Sequence, residues 1–231
     1  MLLGIIGAMN EEVVQLREAM SLNETKELGG YKFYRGRILE KEVVLVECGI
    51  GKVNAAICST LLIQEFKVDK VLFTGVAGGL NPEINIGDIV VSTDLIEHDF
   101  DCTAFGYDYG VIPRMENSKF KADEVLIELA KEVAEKNFGK EKVFVGRIVS
   151  GDIFVASNEK IKWLRETFTA ECTEMEGAAV AHVCYVLKKP FVIIRSISDK
   201  ANHDANMNFD EFVKLAAQNS KIIIEGMLEL I

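Results

Sequence analysis

Six runs of strand length are almost wholly apolar in this 231-residue chain: Leu2 to Ala8, Val43 to Cys48, Val71 to Val76, Ile89 to Ser92, Val143 to Val149 and Phe191 to Ile197. Each is bounded by Gly, Pro, Asp or a charge, the residues that end strands. Several leave no polar face, so both sides of such a strand must be covered. Between the runs, side chains recur at helical spacing: Val53, Ala56, Ile57, Thr60 and Leu61; then Leu126, Leu129, Ala130 and Val133; then Phe209, Phe212, Val213, Ala216, Ile223 and Met227. Continuous strands alternating with amphipathic helices predict an α/β fold, a three-layer α/β/α sandwich around one central sheet. Two places break the alternation. Tyr31 to Ile38 before Val43 to Cys48 reads as a hairpin, and only a Gly/Pro/Asn loop separates Val71 to Val76 from Ile89 to Ser92, so the sheet is expected to be mixed. No repeat, low-complexity tract or linker interrupts the chain, and residues 1–231 are expected to form a single domain.

Charge narrows the partners. Lys plus Arg is 26 against 36 Asp plus Glu, a formal net charge of -10. A surface that tracks nucleic-acid phosphates needs clustered Lys and Arg to release counterions, so no nucleic-acid partner is expected. The five cysteines (Cys48, Cys58, Cys102, Cys172, Cys184) form no CxxC pair and fit neither a disulfide framework nor a zinc site. They read as reduced thiols of a cytoplasmic protein. Met1 to Met9 has no basic residue before it and is followed at once by Glu11 and Glu12, unlike a secretory signal. Apolar runs such as Val43 to Val46 fall far short of the roughly 18 residues of a membrane span.

In open α/β sheets ligands sit beyond the carboxyl ends of the strands, so the polar residues there come first. At Gly7-Ala8-Met9-Asn10-Glu11-Glu12 a strand gives way to a helix; Asn10 suits the N-cap, and the two glutamates suit a helix N-terminus with or without a functional task. Thr74-Gly75-Val76-Ala77-Gly78-Gly79-Leu80 ends a strand in glycines that either make a tight turn or let backbone amides approach a ligand. It is no Walker loop, and Gly49-Ile50-Gly51-Lys52-Val53-Asn54 fails GxGxxG at its last position. In Glu174-Met175-Glu176 the carboxylates point to opposite sides of an extended chain, so at most one enters a given pocket and the other is expected to be solvated. Asp199 ends the strand Phe191 to Ile197 plus Ser198, either as a helix cap or as an acid.

His98, His182 and His203 form no metal-binding spacing, and no Ser lies in GxSxG. No metal and no cofactor is expected. What remains is a set of carboxylates, Glu12, Glu176 and Asp199, each near a strand end. Carboxyl groups on either side of a glycosidic bond can cleave it, one protonating the leaving group and another activating water.

Seven segments carry a resemblance: Gly4 to Met9 with Glu11-Glu12, Gly49 to Val53, Gly75 to Gly79, Thr103 to Tyr107, Val149 to Asp152, Glu174 to Glu176 and Ser196 to Asp199. In this order and register the chain resembles the bacterial 5'-methylthioadenosine/S-adenosylhomocysteine nucleosidases. That resemblance implies the nucleoside phosphorylase/hydrolase fold and a homodimer. By position, Glu12 is similar to the family's general base for the attacking water, Asp199 to the acid that protonates adenine at N7, and Glu176 to the carboxylate that holds the ribose hydroxyls. The resemblance further implies that Met175 packs on the sugar and that Phe154 and Val155 contact adenine, with Phe209 closing that side. It also places Ser198 and Gly78 at the substrate and Ile50 in the pocket for the 5'-alkylthio group. Phe105, Tyr107 and Pro113 resemble residues lent by the partner subunit. Two departures stand out: Val76 where relatives often carry Ser or Thr, and Cys102 where an apolar residue is expected.

The reaction this implies is hydrolysis of the N-ribosyl bond of a 5'-thio-substituted adenosine, in methionine salvage and the recycling of adenosylmethionine by-products. It requires Asp199 to be protonated and Glu12 ionised near neutral pH. Three alternatives stay open. They are a purine nucleoside phosphorylase, which would need a cationic cradle for phosphate, an aminodeoxyfutalosine nucleosidase, and a non-catalytic adenosine-binding domain.

Overall fold

The computed structural model describes residues 1–200 and 205–231, with the backbone alone described at 205–211 and 213. In chain order the elements are β1 (Leu2–Gly7), α1 (Asn10–Glu18), β2 (Ser21–Leu28), β3 (Tyr31–Ile38), β4 (Lys41–Glu47), α2 (Lys52–Phe66), β5 (Lys70–Gly79) and β6 (Ile89–Glu97). There follow β7 (Phe120–Lys121), α3 (Glu124–Phe138), β8 (Val143–Ser150), α4 (Asn158–Phe168), β9 (Cys172–Glu174), α5 (Gly177–Val186), β10 (Phe191–Asp199) and α6 (Ala205–Leu230). All six apolar runs form strands, and the three helical stripes form α2, α3 and α6.

The sheet is mixed, as the broken alternation predicts. β1 pairs in parallel with β4 and β5, β5 in parallel with β10, and β10 antiparallel with β6. β2, β3 and β4 form an antiparallel meander at one edge. At the other end the sheet closes on itself: β6 pairs with β8, β8 with β9, and β9 returns to β5. This ring of five strands brings the ends of β5, β9 and β10 side by side. Gly78 of β5 stands opposite both Thr173 of β9 and Asp199 of β10.

Helices cover both faces, and two glycines in β1 show why. Gly4 and Gly7 are three apart, so they face opposite sides. A Cβ on Gly4 would strike Leu62 of α2 at 2.7 Å, and one on Gly7 would strike Val13 of α1 at 2.6 Å. The chain has glycine where the two layers come closest. On the α1 side α3 and α6 join the layer, while α2 packs with α5. β10 lies in the middle with all nine residues buried, and most of the core is one cluster running through β1, β4, β5 and β10.

Local signals fix several ends. Asp123 caps α3 by accepting from the Leu126 N–H at 3.0 Å, and Ser157 caps α4 by accepting from Lys160 N–H at 3.2 Å. The cap of α1 is Met9, one residue before the expected Asn10, because Glu12 reaches back to the backbone there and takes over the work of a capping side chain. β2, β7, β9 and α4 have no signal among the apolar runs: β2 is mostly exposed, and β7 and β9 span only two and three residues.

Candidate active site

The carboxyl ends of β1, β5, β9 and β10 meet around one cavity of about 240 Å³. Glu12, in the first turn of α1, is 3% exposed. Its Oε2 accepts from the N–H groups of Ala8 at 2.6 Å and Met9 at 3.0 Å, and its Oε1 accepts from Val76 N–H at 3.1 Å. One carboxylate therefore joins the end of β1 to the end of β5. Gly75 makes this approach possible, since a Cβ there would meet Glu12 Oε1 at 2.6 Å and Arg195 Nη1 at 3.0 Å. Burial pushes the Glu12 carboxyl above its ordinary range, with Arg195 and the three N–H donors pulling it part of the way back.

Glu176 stands two residues beyond β9, at the N-cap position of α5, and is 6% exposed. Its Oε1 accepts from Gly51 N–H, at the start of α2, at 2.8 Å. Burial first, then the charge of Glu174, pushes its carboxyl up to about 8. Met175 lines the cavity beside it. Asp199, 4% exposed, ends β10 where the register shifts after Ile197, a bulge that re-aims the last side chains of the strand. The buried Ser198 hydroxyl donates to Asp199 Oδ2 at 2.9 Å.

Of the remaining expected residues, Gly78, Ser198 and Ile50 line the same cavity, and so do Phe154 and Val155. Phe105 and Tyr107 are exposed, at 82% and 41%, and Pro113 is half-buried. None of these three lines the cavity of this chain. The side chain of Phe209 lies outside the described residues, as does His203. Val76 lines the cavity and serves Glu12 through its backbone N–H, a contact that needs no hydroxyl.

Two expectations fail, and the first is that an extended chain sends at most one of Glu174 and Glu176 into a given pocket: both line this cavity. Glu174 is not solvated: it is buried, and its Oε2 lies 2.7 Å from Arg195 Nη2. The same carboxylate accepts from Ser150 Oγ and from the N–H groups of Glu176 at 3.1 Å and Gly177 at 2.7 Å. The extended-chain argument fails because the chain turns into α5 after Glu174, so alternate residues need not part to water and interior. Arg195 is a second functional residue that a search for strand-end carboxyls does not find. Its signal is a charge inside an otherwise apolar strand, which is costly to bury without a partner of opposite sign. Among the described residues no group of His, Cys, Asp and Glu is placed to hold a metal ion.

Chemically, the cavity presents carboxyl groups from three different strand ends, an apolar wall at Ile50, Phe154 and Val155, and a buried guanidinium behind Glu12. That combination can protonate a leaving group on one side and take a proton from water on the other. The model of the phosphorylase superfamily matches residues 2–229, which puts this mixed sheet and the cavity at its strand ends in that class of protein. The 5'-methylthioadenosine/S-adenosylhomocysteine nucleosidase of Staphylococcus carnosus is 46% identical over 99% of both chains. The structure of the nucleosidase of that name from Neisseria meningitidis, in complex with methylthio-immucillin-A, is 42% identical with a TM-score of 0.95, covering 100% of this chain and 99% of that one. A futalosine hydrolase from Helicobacter pylori is 39% identical with a TM-score of 0.93, covering 100% and 98%. The chain belongs to the 5'-methylthioadenosine/S-adenosylhomocysteine nucleosidase family of that superfamily.

Proposed function

We propose that this enzyme hydrolyses the N-ribosyl bond of 5'-methylthioadenosine and S-adenosylhomocysteine, releasing adenine and the 5-substituted ribose. The observation that carries the reading is that Glu12, Glu176 and Asp199, remote in sequence, line one cavity. As the bond between C1' and adenine breaks, positive charge grows on the sugar and negative charge on the base. Asp199 gives its proton to adenine N7. Water attacks C1' and Glu12 takes its proton, so the added hydroxyl stays on the sugar and both carboxyls are reset by one proton exchange. Glu176 holds the ribose hydroxyls and so orients the sugar for attack, which puts binding energy into the geometry of the transition state. Burial raises the Glu12 carboxyl, while Arg195 and the N–H groups of Ala8, Met9 and Val76 favour the ionised form a base needs.

Water rather than phosphate is the nucleophile in this reading. A phosphorylase needs a free cation at the anion site. Arg195 is committed to Glu174 at 2.7 Å, and Glu12 would repel a phosphate. The likeness to the futalosine hydrolase favours a second reading with the same chemistry on a larger 5'-substituent, such as aminodeoxyfutalosine.

The working unit in this proposal is a cytoplasmic homodimer, with Phe105, Tyr107 and Pro113 closing the partner's pocket and the product feeding methionine salvage. Support comes from a groove of about 560 Å³ between α2 and α5, bordered by Val53, Ala56, Val183 and Val186. Val53 is 69% exposed and Val186 58%, apolar surface that a partner subunit would cover.

The test is a panel assay for free adenine with 5'-methylthioadenosine, S-adenosylhomocysteine, 5'-deoxyadenosine and aminodeoxyfutalosine, each with and without phosphate. Adenine release from the first two without phosphate is expected. An absolute requirement for phosphate would make the enzyme a phosphorylase, and tight binding without turnover would make it a binder.

A further inference from the structure

Two stretches that the proposed reaction leaves without a task, Gly51-Lys52 and Gly151-Asp152, are tied to each other in the structure. Helix α2 begins at Lys52 with no side-chain cap of its own and no acidic residue in its first turn. Its first N–H groups still need acceptors. Two come from far along the chain: Gly51 N–H donates to Glu176 Oε1 at 2.8 Å, and Lys52 N–H donates to Asp152 Oδ1 at 2.8 Å. Asp152 is in turn fixed by its own N–H, which donates to Asp99 Oδ2 at 2.9 Å. The ring closes on itself, because Lys52 Nζ lies 2.6 Å from Asp99 Oδ1 and 3.3 Å from Glu97 Oε2. The Lys52, Glu97 and Asp99 side chains are each less than 20% exposed, so water screens these contacts less than it does a surface pair.

We propose that Asp152 is a positioning residue for the ribose carboxylate: by holding the Lys52 N–H it fixes the adjoining Gly51 N–H, and so the direction in which Glu176 faces the sugar. The inference rests on the reading of Glu176 given above. Gly51 has φ +95°, a conformation that few other residues adopt, and a Cβ there would meet Asp152 Oδ1 at 3.1 Å. The peptide between Gly51 and Lys52 thus carries the donor to the clasp, and the one before it, between Ile50 and Gly51, carries the donor to the site. With the clasp open, the Gly51 N–H is free to drift, and with it the oxygen it holds. An error of about 1 Å in such a group costs up to about 100-fold in rate.

A role through Glu176 must depend on the hydroxyls that Glu176 holds. The experiment compares kcat/KM for 5'-methylthioadenosine and for its 2',3'-dideoxy analogue in the wild type, Asp152→Ala and Asp152→Asn. Asp152→Ala is expected to lose about 10- to 100-fold on the ribonucleoside and only a few-fold on the dideoxy analogue, which has nothing for Glu176 to hold. Asp152→Asn keeps an oxygen acceptor for Lys52 N–H and is expected to recover most of the ribonucleoside rate. An equal loss on both substrates, or no loss on either, overturns the proposal, since a clasp that only steadies the loop bearing Phe154 and Val155 would affect both alike. Should Asp152→Ala not fold, Asp99→Asn opens the ring from its other side and must show the same dependence on the hydroxyls; an equal loss there overturns the proposal too. A wild-type chain that releases no adenine from 5'-methylthioadenosine overturns the reaction itself, a failure visible before any variant is compared.

Discussion

Arg195 Nη2 lies 2.7 Å from Glu174 Oε2, and the two side chains are 1% and 3% exposed. Their pairing puts a fixed positive charge inside the sheet, over the ring of Phe73 at 4.0 Å and directly behind Glu12. Glu174 supplies more than the counter-charge. It also takes the N–H groups at the start of α5, so the guanidinium, the helix start and the backbone of Glu176 are held by one carboxylate. Glu174 thereby lines the cavity and at the same time fixes the groups behind it.

Removing one side of that pair is expected to cost far more than a surface ion pair is worth. Arg195→Met leaves Glu174 charged and buried, and stability should fall by about 3–5 kcal/mol. Urea unfolding of the variant beside the wild type checks this; a loss under about 1 kcal/mol would mean that the pair behaves as if it were in water.

Asp199→Asn keeps the volume and a hydrogen-bond partner for Ser198 Oγ but has no proton of carboxylic acidity to give. Adenine release should drop by about 10²–10⁴-fold, with the circular dichroism spectrum and the melting temperature close to wild type. Near-normal turnover would remove Asp199 from the role of acid.

Stability should depend on pH through Glu176. Its carboxyl stands at about 8 in the folded chain against an ordinary 4.5, so the folded state holds this proton more tightly than the unfolded one. The resulting stabilisation is complete below about pH 4.5 and is lost as pH rises towards 8, by up to about 1.4 kcal/mol per pH unit. Burial raises Glu12 as well, with the same sign. Glu176→Gln retains an acceptor for Gly51 N–H and has nothing to titrate. Its unfolding free energy, measured between pH 5 and pH 8, should fall less steeply than that of the wild type; parallel curves would refute the assignment.

Val53 and Ile57 stand one turn apart on the exposed side of α2, at 69% and 47% exposure. In the proposed homodimer, replacing both by Asp should give a monomer in analytical ultracentrifugation and a large loss of kcat/KM, because Phe105, Tyr107 and Pro113 would no longer reach a neighbouring pocket. Phe105→Ala should leave the dimer intact and raise KM by about 10-fold or more, as expected from about 1.5–3 kcal/mol for burying a phenyl ring on binding. A fully active monomer would refute lending between subunits.

The strands and the larger helices were legible because burial on both faces leaves a mark in composition: β10 is unbroken from Phe191 to Ile194, and α3 repeats Leu126, Ala130 and Val133. β9 left none. Its three residues are a strand only because β5 and β8 flank them, and no local propensity announces such a partner. Among the site residues, Glu12, Glu176 and Asp199 could be singled out as carboxyls at strand or loop ends. Glu174 could not, since whether it faces water or Arg195 depends on a turn and on a strand 21 residues further on.

The sequence by itself determined the buried strands and the larger helices, that the sheet is mixed, and which carboxyls stand near its ends, because hydrophobic periodicity and turn chemistry act over a few residues. Only the tertiary structure decided that those ends share one cavity and that Arg195 is neutralised behind it. It also decided that Gly51 N–H is the donor that meets Glu176. Closure of β6, β8 and β9 back onto β5 is a matter of pairing between distant strands, and charge–charge energies in a buried site depend on distances that no stretch of chain encodes alone.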